Sequence, residues 1–139
     1  MIVDLILGGI THHYLAHNLP YCNTVNSIGT IKNPYAIVMA GNENVKVGFL
    51  KGKDSVCGDI YGPISSFKLS DNFDFILGGY NTNFKEFNNR GITPPSVGGV
   101  TPVVGLNYSI PLVQNGKFKT SLDTMFSFGI ITHGIKFSF

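Results

Sequence analysis

The chain has 139 residues, enough for one domain with a core of its own. Charged residues make up 13% of it, against roughly 25% in an ordinary soluble domain. The formal net charge is +2 and the ten Lys and Arg residues are scattered, which argues against nucleic acid as a partner. No apolar run approaches the roughly 20 residues of a transmembrane helix. The first residues lack a secretory signal, so we expect either a mature chain or one that is not exported by that route.

Period-two alternation of apolar residues recurs along the chain, whereas helical periodicity is absent. Apolar residues begin at Leu5–Ile10, and short alternating runs follow around Val47 and Phe75. The longest alternating run places five apolar side chains on one face of a strand: Val104, Leu106, Tyr108, Ile110 and Leu112. The last run comprises Ile131, His133, Ile135, Phe137 and Phe139. Each run therefore predicts a strand with one apolar face and one face of small or polar residues.

Turn signals separate these runs. They are Asn33-Pro34, Gly41-Asn42, Lys51-Gly52, Gly62-Pro63, Ser70-Asp71-Asn72 and Asn115-Gly116. We expect a type I′ hairpin turn at Asn115-Gly116, because both residues tolerate positive φ. About eight strands in successive hairpins predict an all-β fold: one antiparallel up-and-down barrel formed by residues 1–139.

The faces opposite the apolar ones are rich in Gly, Ser, Thr and Asn, which suit a narrow barrel lumen better than a solvated surface. Together with the terminal Phe139, this favours a barrel of the outer-membrane type whose apolar faces point outward. The predicted location is the outer membrane, provided that the chain is a mature form. The alternative is a soluble barrel or sandwich with the apolar faces inside.

The segment Asn81–Gly99 interrupts the alternation. It is polar at first and then contains Pro94-Pro95. Since prolines cannot join a central ladder, we expect this segment to be a mobile loop at one rim.

Three clusters carry groups capable of chemistry. His13 and His17 share a strand face but would lie about 13 Å apart, so we expect no metal site and no other cofactor. The segment Lys53-Asp54-Ser55 reads as a turn when taken alone, and with a histidine at the rim it supplies a base, a carboxylate and a hydroxyl for acyl transfer. Asp71-Asn72-Phe73-Asp74 reads as a hairpin turn without a function. Cys22 and Cys57 could form a disulfide or remain two free thiols.

Several of these segments resemble the lipid A palmitoyltransferases (the PagP family). The first strand, with Ile10-Thr11-His12-His13-Tyr14, is similar to the family's first strand. The Lys53-Asp54-Ser55 segment, the proline-containing stretch from Gly91 to Gly105 and the closing Ile135–Phe139 follow in the family's order.

The resemblance implies an enzyme that moves a palmitoyl chain from a phospholipid to lipid A, with His13, Asp54 and Ser55 as catalytic residues at the outer rim. The lumen would hold the acyl chain. The expected partners are then phospholipid and lipid A, or another apolar ligand, and we expect a monomer. The alternatives are a non-catalytic small barrel of the outer membrane or of a virion, and a soluble barrel that binds an apolar ligand.

Overall fold

The computed structural model describes residues 1–13, 34–54, 58–81, 99–127 and 130–139, and of residues 10–13, 54, 58 and 130 it describes the backbone alone. These residues form eight strands, each rich in the alternation that favours half-buried β-structure. The strands are β1 (Ile2–His13), β2 (Pro34–Gly41), β3 (Val45–Asp54), β4 (Gly58–Lys68), β5 (Phe73–Asn81), β6 (Val100–Asn115), β7 (Phe118–Ser127) and β8 (Ile130–Ser138). The segment predicted as a mobile loop is Asn81–Gly99, and its residues 82–98 lie outside the described residues.

The strands form one closed barrel in sequence order, and every neighbouring pair is antiparallel. The barrel closes where β1 pairs with β8, with Asp4 opposite Ser138. At the end of this seam, Val3 N donates to Phe139 O at 3.1 Å and Phe139 N donates to Val3 O at 2.9 Å. The prediction of an eight-stranded up-and-down barrel is therefore confirmed.

No helix in the described ranges is both long and apolar enough to span a membrane.

The antiparallel order gives the barrel two different rims. The turn rim carries the starts of β1, β3, β5 and β7, both chain ends and the short connections 42–44, 69–72 and 116–117. The loop rim carries the opposite strand ends, among them His13 of β1 and Asp54 of β3. β2 and β6 begin at this rim, and β5 ends there.

Several turn signals mark real turns. Gly41 ends β2, and the Oδ1 atom of Asn42 accepts hydrogen bonds from the backbone N–H groups of Asn44 and Val45, both at 2.8 Å. The signal at Ser70-Asp71-Asn72 also marks a turn, between β4 and β5.

Two other turn signals were wrong, because Lys51-Gly52 lies within β3 and Gly62-Pro63 lies within β4. Gly52 serves a close approach between strands: a Cβ on it would come within 2.8 Å of the Cβ of Tyr35. A Cβ on Gly62 would clash with the carbonyl oxygen of Gly79 on the next strand. These glycines therefore permit tight curvature of the sheet and do not reverse the chain.

Pro63 interrupts the ladder between β4 and β5. The pairing runs from Lys68↔Asp74 to Ile64↔Gly78 and stops at the residue that has no N–H group. Beyond this point the side chain of Asn81 joins the strands: its Oδ1 accepts from Tyr61 N at 2.7 Å, and its Nδ2 donates to Asp59 O at 3.3 Å. A side-chain bridge thus replaces the missing backbone pairing.

The hairpin between β6 and β7 differs from the expected turn type. Asn115 pairs with Phe118, so the two central residues are Gly116 and Lys117. Gly116 has a φ of 59°, and no described residue other than glycine has positive φ. Positive φ at the first central residue alone is typical of a type II′ turn, which requires glycine only there.

This hairpin extends past the start of β5. On the side that faces β5, the backbone N–H group of Ser109 on β6 donates to the carbonyl oxygen of Asn72, which directly precedes β5, at 2.9 Å. Two residues further along, Pro111 offers no N–H group, and the register of β6 shifts by one residue between Pro111 and Val113. Proline and a bulge both discourage a free strand edge from pairing with another chain.

The outward direction of the apolar faces agrees with the expectation from the alternation. In β6, Val104 and Leu106 are 42% and 43% exposed. Val103, just before them, and Asn107, just after them, are 3% and 5% exposed. Tyr108 is half-buried. Every strand contributes to this outer surface, which we call the apolar belt: Leu7, Val38, Val47, Phe49, Tyr61, Leu77, Val104, Leu106, Ile110, Leu122, Phe126 and Ile135.

Candidate functional site

The lumen has an apolar layer toward the loop rim. Inward positions of seven strands, β1 to β7, carry buried side chains that pack together: Ile6, Tyr35, Ile37, Leu50, Ile60, Ile64, Ile76, Tyr80, Val103 and Met125. Their exposed fractions do not exceed 6%. The sequence indicated inward faces of small or polar residues, so this layer is a correction. The apolar layer forms because isoleucines on β4 and β5 occupy inward positions that alternate with the same two-residue spacing as the inward glycines.

Nearer the turn rim the lumen is polar and charged. Asp4 on β1 is 1% exposed, and its Oδ2 atom is 2.5 Å from the ammonium group of Lys46 on β3. Its Oδ1 atom has no hydrogen-bond partner within the described part of the chain. Because a buried carboxylate is costly without a partner, Lys46 is the group that makes the burial of Asp4 tolerable.

A second ion pair lies on β7 and β8, next to β1 in the closed barrel. The ammonium group of Lys136 on β8 is 3.1 Å from Oδ2 of Asp123 on β7 and donates to Oγ of Ser109 at 2.7 Å. Asp123 also accepts from Asn107 Nδ2 at 2.7 Å and from Ser121 Oγ at 2.8 Å. We call this group the lumen network; it comprises Asn107, Ser109, Ser121, Asp123 and Lys136. Each charged atom in it has a partner of opposite charge or a hydrogen bond.

A small cavity lies where the apolar layer meets the polar one. Its walls include Ile64, Ile76 and Met125 on one side and Ser66, Asp74 and Lys136 on the other. It has room for about one water molecule. This cavity is too small for an acyl chain, and the expectation that the lumen holds one stays a prediction.

The sequence-predicted catalytic residues lie at the loop rim or outside the description. His13 ends β1 and Asp54 ends β3, so the up-and-down order places the backbone of both at one rim. Asp54 is the last residue of β3. Ser55, Cys22 and Cys57 lie outside the described residues, as do the side chains of His13 and Asp54. Their convergence stays a prediction.

His133 also has a definite setting. It is exposed on the outer face, and its Nδ1 atom is 3.0 Å from Oγ1 of Thr124, the residue opposite it on β7. This cross-strand hydrogen bond satisfies one ring nitrogen of a polar residue that otherwise faces an apolar surface.

Sequence reasoning missed the charged groups of the lumen. The signal that could have found them is the parity of each strand: Lys136 and Asp123 fall on the faces opposite the apolar runs. Which lysine meets which aspartate depends on how the strands pair and how the barrel closes. In the described ranges, no group of three or more His, Cys, Asp and Glu residues could hold a metal ion.

Comparison with known proteins gives no relative from which a function could be inferred: no family model, curated protein or solved structure matches the chain. The barrel, with its lumen and its outer surface, is therefore the basis for proposing a function. The resemblance to the PagP family stays a prediction.

Proposed function

We propose that this chain is a membrane-embedded β-barrel of the outer-membrane type with a non-catalytic role: it anchors the connections at its loop rim to the membrane surface. The observation that carries the proposal is the apolar belt. Phe49, Tyr61 and Phe126 are each at least half exposed, and each large apolar side chain gains roughly 1.5–3 kcal/mol on leaving water. An apolar surface that encircles a whole domain is far larger than the patches of soluble proteins.

The charge distribution supports the same proposal. The described charged residues that point outward from the strands, Lys51, Lys53 and Asp59, lie near the loop-rim ends of β3 and β4. Four buried or half-buried strand charges point into the lumen and form two ion pairs there: Asp4 with Lys46, and Asp123 with Lys136. Apolar side chains outside and polar groups inside are the arrangement that a lipid environment requires.

The filled lumen favours a non-catalytic role over ligand storage. Buried apolar side chains pack together in the described lumen, and the cavity beneath them accommodates only about one water molecule. A soluble barrel that binds an apolar ligand would need the opposite arrangement, with a vacant apolar interior and a polar exterior.

The test is folding with and without an amphiphile. We expect the urea-denatured chain to fold on dilution into phosphatidylcholine vesicles or detergent micelles, with β-type circular dichroism and resistance to SDS at room temperature. On dilution into plain buffer we expect aggregation, because the apolar belt is then exposed to water. A folded, monodisperse chain in buffer would overturn the proposal.

Acyl transfer is a second candidate, and the observation that favours it is the shared rim of His13 and Asp54. If it is correct, the barrel in vesicles transfers a labelled acyl chain from phospholipid to lipid A. His13→Ala should then lower the rate by about 100-fold or more, the usual contribution of a general base. His133→Ala is the matched control, since that histidine lies on the outer face. No transfer by the folded wild-type barrel would contradict this candidate.

A further inference from the structure

A pair of lysines continues the outer face of β3 beyond the apolar belt. Val45, Val47 and Phe49 alternate along this face, and Lys51 and Lys53 follow at the same spacing. Residues two apart on a strand lie on one face, so both side chains start from the outer surface within about 7 Å of each other. Both lysines are exposed.

The strand beside them supplies an aromatic platform. Tyr61 of β4 lies opposite Lys51 and is 53% exposed. Its ring stacks beside that of Phe49, with a centroid distance of 6.3 Å and an interplanar angle of 23°. Tyrosine at the edge of an apolar surface is typical of the boundary between hydrocarbon and headgroups, because its ring is apolar and its hydroxyl is polar.

Among the described side chains, no carboxylate neutralises both lysines. Asp59 is exposed and lies opposite Lys53 in the ladder, yet neither Lys51 nor Lys53 forms an ion pair with a described carboxylate. With Asp59 included, the described side chains of the patch keep an excess of one positive charge. Three other strand lysines differ in this respect: Lys46, Lys68 and Lys136 are each paired with an aspartate.

We propose that Lys51, Lys53 and Tyr61 form a binding surface for the phosphate-bearing headgroup of an anionic lipid. The inference depends on the proposed membrane location, which places the end of the apolar belt at headgroup depth. Lysine attracts phosphate as a point charge, and Tyr61 offers a hydroxyl donor beside it. The acyl chains of the same lipid would lie along the belt at Phe49 and Val47.

The experiment uses the absence of tryptophan from the chain, which lets a single introduced tryptophan report on one place. Phe49→Trp places the reporter next to the patch. Phe73→Trp places a control reporter on the outer face near the turn rim, where the lysine of the adjoining strand end, Lys68, is paired with Asp71 at 3.0 Å. Each protein is folded into vesicles that contain brominated phosphatidylglycerol or brominated phosphatidylcholine, and the quenching gives the relative affinity of the two lipids at each reporter.

We expect the anionic lipid to be preferred at the Phe49→Trp reporter and much less at the Phe73→Trp reporter. Adding Lys51→Gln and Lys53→Gln should lower the preference by about fivefold for each lysine. Asp59→Asn should raise it. Lys117→Gln with Lys119→Gln removes equal charge at the turn rim and should leave the preference at Phe49→Trp unchanged.

Three results would overturn the inference. They are an equal preference for the anionic lipid at both reporters, no effect of Lys51→Gln and Lys53→Gln on it, or its loss when inorganic phosphate replaces chloride at constant ionic strength. The last result would assign the site to free phosphate. If the double variant does not fold, the single variant Lys51→Gln gives the same comparison. Failure of the membrane proposal is distinguishable, because neither brominated lipid would then quench either tryptophan.

Discussion

Replacing Lys136 with Met is expected to lower the free energy of unfolding by about 3–5 kcal/mol. The carboxylate of Asp123 is almost fully buried, and this substitution removes the cation 3.1 Å from it. Asn107 and Ser121 would still donate to Asp123, yet two neutral donors do not offset a buried negative charge. The measurement is urea-dependent unfolding of the barrel in vesicles, followed by circular dichroism.

Two further variants separate the loss of a charge pair from the loss of a lysine. Lys136→Met combined with Asp123→Asn should recover much of the lost stability, because no buried charge is then left unpaired. Lys119→Met alters an exposed lysine at the turn rim and should change the stability by less than about 1 kcal/mol. A cost below 1 kcal/mol for Lys136→Met would mean that water solvates Asp123, contrary to the packed lumen described above.

Leu106→Arg tests whether the apolar belt faces lipid, through the size of the change in the free energy of unfolding. Leu106 is 43% exposed on the outer face near the middle of β6. In a bilayer an arginine at such a position should destabilise the folded barrel by roughly 2–4 kcal/mol. In a water-soluble barrel the same substitution at an exposed site would change the stability by no more than about 0.5 kcal/mol.

Gln114→Arg is the matched control for this substitution. It lies on the same strand in the projecting hairpin, is exposed and is beyond the apolar residues of the belt. We expect it to fold into vesicles as well as the wild type does. Equal behaviour of the two arginine variants in vesicles would remove the belt as the basis of the functional proposal.

The fold class could be predicted from the sequence because alternation is a local property of each strand. The run from Val104 to Leu112 shows in its letters which residues share a face, and the small residues between them indicate which face turns inward. The turn signals were less informative. Gly52 is required by its contact with Tyr35 on another strand, and such a contact between strands leaves no local mark in the sequence.

The candidate site was less predictable for the same reason. Lys136 and Asp123 are visible as polar residues on inward faces, but their pairing depends on the register of β7 with β8. The apolar layer was missed because isoleucine at an inward position looks the same in the sequence as isoleucine at an outward one. The prediction of His13, Asp54 and Ser55 as catalytic residues depends on side chains beyond the described part of the chain.

The seam between β1 and β8 constrains the order of assembly. The other seven pairings join strands that follow one another in the chain, whereas this one joins the first strand to the last. A nascent or partly folded chain is therefore an open sheet with two unsatisfied edges until the final strand arrives. An open sheet of this kind pairs readily with a second chain. Correct assembly therefore requires either a bound chaperone or closure of the barrel before two chains meet. Pairing of the nine-residue strand β8 with β1 therefore completes the barrel. A delay in this pairing would leave both sheet edges open to aggregation.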